Sequence, residues 1–513
     1  MKKNYFLLVY FFIPILSFAQ TTQSYKAPFF KDNNRLEKIK PFFPIIEKIY
    51  REHAEKNHFP GYSFGVVMDG ALVFSGNGGY TDVVSKNQVN NQTMFRIASM
   101  SKSFTAMAIL KLRDEGKLRL DDAVENYIPE LRNQQLTKDA PTITIRDLMT
   151  HSAGFPQDDP WADRQLADTE EELLDVIKKG LHFSNVPGLR YEYSNLGFTM
   201  LGYIIHKVSG KPYSTYIKEN IWQPLGMSQA EWEFNKAPAS QLAKGHRWIN
   251  NQWVDEPLLH DGIYGSMGGM ITSMESFSKY IAFHLNAWPP SNTDDVGPVK
   301  RSTVREMHQP WRYGGLNAQY RYPNGRTCAT ASAYTYGLRW TNDCEGRTAV
   351  GHSGGLPGFG SNWLILPEYG IGVAFFANVT YAPTADPNIQ VLDTLVRAAQ
   401  LEPRVLPPSD VLLKAQKELL FLLPDWKNAA NSSLFAENFF LDKPIQDLIK
   451  ECRDIFNAAG NIIHVDDIVP LNQLRGQVTL RCENGDIQIF FTLTPTNPAQ
   501  IQDFRIRRVQ RGR

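Results

Sequence analysis

The pattern of apolar and polar positions predicts strands towards both ends of the first 400 residues. Residues 62–68 and 71–75 flank Asp69-Gly70, a residue pair typical of a two-residue hairpin turn. Residues 363–366 and 371–376 form a second pair of apolar runs joined by a short turn. Because a long and largely helical middle separates these pairs, the pattern favours one antiparallel sheet built from both ends of the domain.

Apolar residues at helical spacing predict helices before and between these strands. The first covers residues 36–53, and another begins near Ser99 and ends near Gly116. Near the centre of the chain, Asn195 is expected to cap a helix that ends at Gly210. The predicted fold class is therefore α+β, with an antiparallel sheet flanked by helices beside an all-helical region.

The length of 513 residues indicates more than one domain. Residues 36–400 are assigned to the main domain, and the proline-containing stretch 401–410 to a linker. Residues 411–513 combine one predicted helix with three strand-like runs, and are assigned to a small α+β accessory domain.

The N-terminus has the composition of an export signal. Two lysines precede an apolar run, and small residues at Ser17 and Ala19 predict cleavage after Ala19. Residues 1–19 are therefore predicted to be a signal peptide and residues 20–35 a tether. An uncleaved anchor is disfavoured because the run is shorter than the roughly 20 residues of a membrane span. We expect a periplasmic or extracellular protein with no membrane span after cleavage.

Because export is predicted, the four cysteines are candidates for disulfide bonds. They fall into two local pairs, Cys328 with Cys344 and Cys452 with Cys482. An oxidising compartment permits a disulfide in each pair, although four cysteines allow three connectivities, and four buried free thiols are the alternative. Neither a C-x-x-C nor an H-E-x-x-H motif occurs, so no metal or cofactor is expected.

The charge balance excludes one class of partner. The formal net charge is +1, from 54 basic and 53 acidic residues, and the one basic cluster is the extreme C-terminus. A short basic tail is more often solvated than a binding stripe, so no nucleic-acid partner is expected. The oligomeric state stays open.

Ser99-Met-Ser-Lys102 is the first candidate for chemistry. Three residues apart on a helix, the hydroxyl and the amine lie on the same face. Serine needs a base within hydrogen-bonding reach, and lysine serves if burial or nearby cations lower its pKa. Ser276-Phe-Ser-Lys279 has the same spacing, although Ser276 is better suited to cap the helix that follows it. Spacing alone does not choose between the two.

Gly351-His-Ser-Gly-Gly355 is a rival motif, because it matches the G-x-S-x-G nucleophile elbow and would make Ser353 the nucleophile. An elbow requires a helix after the serine, and an acid and then a histidine downstream. The glycine- and proline-containing residues 356–360 are unsuited to start a helix. The one later histidine, His464, lies in the predicted accessory domain. The elbow is therefore disfavoured.

Three segments in order carry a family resemblance: Ser99-Met-Ser-Lys102, then Tyr193-Ser-Asn195, then His352-Ser-Gly354. Over residues 36–395 the chain resembles serine β-lactamases, penicillin-binding proteins, DD-peptidases and related esterases. That family shows S-x-x-K, then Y-x-N, then K-T-G or H-x-G. Its fold, an antiparallel sheet beside a helical region with the site between them, agrees with the predicted elements.

The resemblance implies a role for each motif residue. Ser99 would form an acyl-enzyme, while Lys102 and Tyr193 would share the acid and base work. The backbone N–H groups of Ser99 and Gly355 would form the oxyanion hole. Positioning roles fall to three further residues: Asn195, which would hold Lys102 or a substrate amide, His352 and Gly354.

His352 stands where the lactamases usually have lysine. A histidine is mostly neutral at pH 7 and supplies less positive charge to a substrate carboxylate. We therefore expect an exported serine hydrolase that acts on a small ester or on a peptide with D-residues. The alternatives are a β-lactamase resembling class C and a non-catalytic protein that binds cell-wall peptides. Intact Ser99, Lys102 and Tyr193 argue against the last of these.

Overall fold

A computed structural model describes residues 25–510 and divides them into two units. The larger unit is Phe29–Val405, and the smaller comprises residues 25–28 and 406–510. The predicted linker, residues 401–410, lies across this boundary. The predicted signal peptide and the start of the tether lie outside the described residues. Every helix that the structure describes is too short or too polar to cross a membrane.

The larger unit contains fourteen strands and eleven α-helices among its described residues. The strands, in chain order, are β1 (Gly61–Met68), β2 (Ala71–Asp82), β3 (Asn87–Gln88), β4 (Met94–Arg96), β5 (Ala230–Glu231), β6 (Gly245–Ile249), β7 (Gln252–Glu256), β8 (Ile271–Ser273), β9 (Arg312–Asn317), β10 (Thr330–Tyr334), β11 (Arg339–Asp343), β12 (Thr348–Leu356), β13 (Phe359–Leu366) and β14 (Ile371–Ala377). The helices are α1 (Arg35–Ile39), α2 (Phe43–Lys56), α3 (Lys102–Asp114), α4 (Ile145–Met149), α5 (Glu170–Lys178), α6 (Asn195–Ser209), α7 (Tyr213–Ile217), α8 (Gly265–Gly268), α9 (Met274–Asn286), α10 (Arg301–Met307) and α11 (Ala385–Arg397).

Nine strands form one antiparallel sheet in the order β3-β2-β1-β14-β13-β12-β11-β10-β9. The two hairpins predicted from the sequence, β1–β2 and β13–β14, lie side by side in it. They meet where β1 pairs with β14, from Tyr62 opposite Ala377 to Met68 opposite Ile371. The prediction of an antiparallel sheet built from both ends of the domain is confirmed.

Helices cover both faces of this sheet. On one face α2 brings Tyr50 against Phe375, with ring centroids 4.7 Å apart. On the other, α9 brings Phe277 against Phe376, with ring centroids 5.5 Å apart. Since successive residues of a strand point to opposite faces, Phe375 and Phe376 belong to two separate cores. The predicted helical region also contains two small sheets, β4-β8-β5 and β6-β7.

Two predicted helix caps are wrong by a few residues. Ser194, not Asn195, caps α6, and its hydroxyl accepts the backbone N–H of Gly197 at 3.3 Å. Ser273, not Ser276, caps α9. In both cases a serine just upstream takes the cap, because the predicted residue uses its side chain in a contact made only by the folded chain. Gly210 ends α6 in the left-handed conformation, as predicted.

The smaller unit is an α+β structure in its described residues. Its elements are α12 (Asp410–Leu422), α13 (Phe439–Asp442), α14 (Ile445–Ala459), β15 (Ile462–Val465), β16 (Val469–Asn472), β17 (Arg475–Cys482), β18 (Gly485–Leu493) and β19 (Ile501–Val509). The sheet order is β15-β17-β18-β19, and β16 also pairs with β17.

The cysteines behave differently in the two units. Cys328 and Cys344 form a disulfide in the larger unit, as the first local pair suggested. Cys452 and Cys482 are buried in the smaller unit and are not joined to each other, so a second disulfide is contradicted. Cys452 lies on α14, where its sulfur accepts the indole N–H of Trp426 at 3.2 Å.

Candidate active site

The turn that joins β4 to α3 places Ser99 at the start of the helix. Residues 98–101 form a 3₁₀ turn, and Ala98 has a φ of 51°, a left-handed value rare for a residue with a side chain. The Ser101 hydroxyl donates to the Ala98 carbonyl at 2.7 Å and accepts the Met270 N–H at 3.1 Å. These bonds hold a strained turn whose nucleophile candidate, Ser99, is only 8% exposed.

Lys102 lies next to Ser99 and is fully buried. Its Nζ lies 3.0 Å from Ser99 Oγ, 2.6 Å from Asn195 Oδ1 and 2.8 Å from the Met267 carbonyl oxygen. The last two groups only accept hydrogen bonds here, so they hold two N–H bonds of the amine. A deprotonated Lys102 therefore directs its lone pair at the Ser99 hydroxyl.

The surroundings of Lys102 lower its pKa towards neutral pH. Burial lowers the pKa of Lys102 from 10.5 to about 8, three aspartates led by Asp159 oppose the shift, and Arg339 adds to it. With a pKa near 8, about a tenth of the amine is neutral at pH 7. Lys102 thus meets the condition that the sequence argument set for a lysine base.

Tyr193 lies over the same amine. Its ring centroid is 4.9 Å from Lys102 Nζ, and its hydroxyl lies close enough to Ser99 for that side chain to lower the pKa of Tyr193. His151, which sequence reasoning gave no role, packs its ring 4.2 Å from that of Tyr193, and its Nδ1 accepts the Ser194 N–H at 3.0 Å. Burial raises the pKa of Tyr193 well above its usual range, so a tyrosinate is unfavourable at neutral pH.

Two neighbouring aspartates that sequence reasoning missed hold the start of α6. Asp158 accepts the backbone N–H of Asn195 at 2.7 Å and that of Leu196 at 2.8 Å. Asp159 accepts the side-chain Nδ2 of Asn195 at 2.5 Å, which turns the amide oxygen towards Lys102. Asn195 therefore contacts a charged group at each end, and of its two expected roles this geometry favours holding Lys102.

The third motif reaches the Ser99 turn on β12. A Cβ added to Gly354 would lie 2.2 Å from the Ile97 carbonyl oxygen, so only glycine fits here. Among the described residues, β11 pairs with β12 only as far as Gly351. Beyond that point β12 has β13 on one side and an open edge on the other. Gly355, the predicted second oxyanion donor, lies on this open stretch.

His352 carries little charge, as the sequence argument expected. Its Nε2 lies 3.0 Å from the Tyr334 hydroxyl. Burial, helped by the positive charges of Arg339 and Lys102, holds the pKa of His352 well below its usual range. Arg339, which sequence reasoning missed, places its guanidinium carbon 5.6 Å from the Tyr193 ring centroid. The positive charge next to His352 and Tyr193 on the β12 side of the site therefore comes from Arg339.

Neither of the two alternative nucleophiles, Ser276 and Ser353, has the surroundings that its motif requires. Ser276 lies inside α9, where its hydroxyl accepts the Gln229 N–H at 3.0 Å, and Lys279 donates to the Gly226 carbonyl instead. Ser353 lies in the middle of β12, and β13 rather than a helix follows it. The strand–turn–helix of a nucleophile elbow is therefore absent from this described segment.

Comparison with known proteins adds an independent finding. A family model described as Beta-lactamase matches residues 46–396. Protein flp of Staphylococcus aureus strain MRSA252 is 30% identical over 342 residues, which cover 66% of this chain and 64% of that protein. The Unguisins hydrolase ungD' of Aspergillus campestris is 27% identical over 353 residues, 67% of this chain and 62% of that protein. The chain thus spans a little less than two thirds of the length of these curated relatives.

Solved structures agree on the fold. The octameric penicillin-binding protein homologue from Pyrococcus abyssi has a TM-score of 0.57 at 23% identity, covering 92% of this chain and 94% of that one. A penicillin binding protein from Bacillus halodurans has a TM-score of 0.54 at 22% identity, covering 68% and 98%. At such identities the likeness concerns the fold alone.

Proposed function

The chain belongs to the β-lactamase family, and we propose that it is a serine hydrolase that forms an acyl-enzyme on Ser99. The observation that carries this proposal is the buried amine of Lys102, 3.0 Å from Ser99 Oγ, with its other N–H bonds held by Asn195 and Met267. A protein that only binds peptides has no need of a buried lysine so placed.

In the proposed first step, Ser99 Oγ attacks the substrate carbonyl carbon while Lys102 takes the hydroxyl proton. Lys102 is the better first base, because its pKa is near 8 whereas that of Tyr193 lies far above neutral pH. As the carbonyl-to-leaving-group bond breaks, Tyr193 gives its hydroxyl proton to the leaving group and takes the proton that Lys102 holds, so that Lys102 is neutral again and no tyrosinate is left. In the second step a water molecule attacks the acyl carbonyl carbon while Lys102 takes one of its protons. That proton passes to Ser99 Oγ as the acyl–serine bond breaks, which releases a carboxylic acid. Backbone N–H groups of Ser99 and Gly355 stabilise the oxyanion in both steps.

The proposed substrate is an ester or a peptide with D-residues. A neutral, buried His352 leaves no lysine-like cation on β12, which counts against an efficient β-lactamase. The name of the Aspergillus relative, a hydrolase, is in keeping with hydrolysis here. We further propose an exported protein, because the Cys328–Cys344 disulfide is typical of an oxidising compartment.

The test compares three substrate classes on one preparation: short-chain nitrophenyl esters, D-amino-acid anilides and a chromogenic cephalosporin. Ser99→Ala is expected to abolish turnover and covalent labelling by an acylating probe, while Ser353→Ala, the matched control, keeps both. Turnover that survives Ser99→Ala and is lost in Ser353→Ala would overturn the nucleophile. No turnover and no labelling with any class would support a binding protein, and fast cephalosporin turnover a lactamase.

A further inference from the structure

A cavity of about 350 Å³ lies on the face of the large sheet opposite to Ser99. The alternation of side chains along β12 separates the two faces. Gly354 faces the Ser99 turn, whereas Ser353 lines the cavity. We call this space the rear cavity: strands β10–β13 form its floor, and α11 and the loop with Tyr320 and Tyr322 form its walls.

The lining of the rear cavity is mostly apolar. Leu364 and Leu366 of β13 lie on the floor, and Ile389 and Leu392 of α11 form the opposite wall. A volume near the lower end of the roughly 300–1,000 Å³ typical of small-molecule sites, with a mainly apolar lining and few polar groups, suits one small ligand. A ligand with an apolar body is therefore the best fit.

Most charged side chains around the rear cavity have an ion-pair partner within the described part of the protein, and one arginine does not. Arg347 lies 2.7 Å from an Asp343 oxygen and 3.2 Å from an Asp393 oxygen, and Arg326 lies 3.1 Å from the same Asp393 oxygen, so each of these charges has a partner of opposite sign. Arg339, by contrast, lines the end of the rear cavity next to the catalytic site, with its guanidinium carbon 5.6 Å from the Tyr193 ring centroid, and forms no ion pair with any residue that the structure describes. Because an arginine fork beside an apolar wall is best satisfied by a carboxylate, the complementary ligand is an anion at this end.

We propose that the rear cavity binds a small amphipathic carboxylate, with its charged group on Arg339 and its apolar body between the leucines of β13 and α11. Ser353 lies on the same face, and its hydroxyl accepts the Asn362 side-chain N–H at 2.9 Å. The Ser353 proton is thereby free to donate to the same carboxylate. The apolar part of this site lies across the sheet from the Ser99 turn, because Ser353 and Gly354 face opposite sides of β12.

A carboxylate bound to Arg339 also changes the pKa of Lys102 in the catalytic site. This consequence rests on the proposed function. Arg339 lies 5.6 Å from the Tyr193 ring and helps to lower the pKa of Lys102. A carboxylate that neutralises Arg339 weakens this effect, so a smaller fraction of Lys102 is neutral at pH 7. Hydrolysis of an ester or a peptide releases a carboxylate, so the reaction's own products belong to the proposed ligand class.

The first experiment measures binding directly, on the Ser99→Ala protein, so that its outcome does not depend on catalysis. Octanoate, octanol and octylammonium are titrated by calorimetry at equal ionic strength. We expect saturable binding of octanoate, at least about tenfold tighter than octanol because of the charge-assisted bond, and none of octylammonium. Equal affinity for all three probes, or no saturable octanoate binding, overturns the proposal.

A set of variants then tests whether octanoate binds in the rear cavity. Ile389→Trp fills the cavity from α11 and is expected to abolish octanoate binding, whereas Gln390→Trp, one position along the same helix, keeps it. Leu364→Phe reduces the space from the sheet side and guards against misfolding of the first variant. Arg339→Gln is expected to weaken octanoate about tenfold or more and to leave octanol unchanged. Octanoate affinity that survives both cavity-filling variants contradicts the assignment.

The effect on catalysis is measured last. Saturating octanoate is expected to move the acid limb of kcat/KM to higher pH in the wild type and to have no effect in Arg339→Gln. Binding with an unmoved acid limb overturns the coupling. If the wild type turns over no substrate, the proposed function fails, while the calorimetric result for the rear cavity stands by itself.

Discussion

Replacing Gly354 with alanine tests the packing that sets the Ser99 turn against β12. The new Cβ would lie 2.2 Å from the Ile97 carbonyl oxygen, 2.5 Å from Ser361 Oγ and 2.9 Å from Ala98 Cβ. Two of these neighbours are backbone or next to it, and the third is the hydroxyl that donates to Ile97 at 2.7 Å. No flexible side chain is present to give way.

The size of the effect follows from these distances. Restoring an ordinary van der Waals separation requires the Ile97–Ala98 backbone to move by about 1 Å, because packed interiors leave no spare room. Ser99 is the next residue, so its Oγ moves away from Lys102 by a similar amount. A misplacement of about 1 Å in a catalytic group costs on the order of 100-fold in rate, and overpacking costs roughly 1–3 kcal/mol of stability.

The assay is the steady-state hydrolysis of a nitrophenyl ester together with urea unfolding. Gly354→Ala is expected to lower kcat about 100-fold. Gly197→Ala on α6 is the matched control, since its Cβ would meet nothing nearer than 3.7 Å. That control should keep its activity and gain up to about 1 kcal/mol from helix propensity.

One result would refute this reasoning. If Gly354→Ala folds and keeps kcat within about threefold of the wild type, well short of the loss expected for a displaced nucleophile, then the contact with Ile97 does not set the position of Ser99.

Three further predictions concern charge and covalent structure. Because the pKa of Lys102 is about 8, kcat/KM should rise about tenfold from pH 6 to pH 7 and level off above about pH 9; a flat profile over that range would exclude Lys102 as the base. Asp159→Asn removes a negative charge that raises the pKa of Lys102 and weakens the hydrogen bond that holds the Asn195 amide, so pH–rate measurements should show a lower kcat and an acid limb moved to lower pH. An unmoved limb would mean that Asp159 does not influence the lysine. Replacing Cys328 and Cys344 together by serine opens a loop with a sequence separation of 16, and urea unfolding should show a loss of about 3 kcal/mol; unchanged stability would mean that the disulfide does not constrain the unfolded chain.

The parts of the fold that the sequence predicted are those with strong local signals. Asp69-Gly70 needs only its own turn preference to place β1 beside β2. Gly210 likewise ends α6 because glycine accepts a left-handed conformation. The misplaced caps at Asn195 and Ser276 show the limit of this method, since their side chains contact groups far away in the sequence.

The sequence motifs were enough to predict the central residues of the candidate site. The residues that surround them could not be predicted from the sequence. Ser99 and Lys102 are neighbours on one turn, so their spacing alone brings them together. Asp159 and Arg339 reach the same site from separate loops and strands, and only the folded chain shows that they do. The Cys452–Cys482 pairing failed for a similar reason, because closeness in sequence does not bring α14 and the end of β17 into bonding geometry.

The pairing of β1 with β14 also bears on how the chain acquires its structure. The central strands of the sheet come from opposite ends of the larger unit, so the sheet closes only after residues 371–377 are available. Contacts between such distant segments are slow to form, because the intervening chain must be ordered or looped out first. The Ser99 turn packs on β12, which enters the sheet through the same late strands. A nascent chain therefore carries Ser99, the proposed nucleophile, for much of its synthesis before the proposed site can assemble around it.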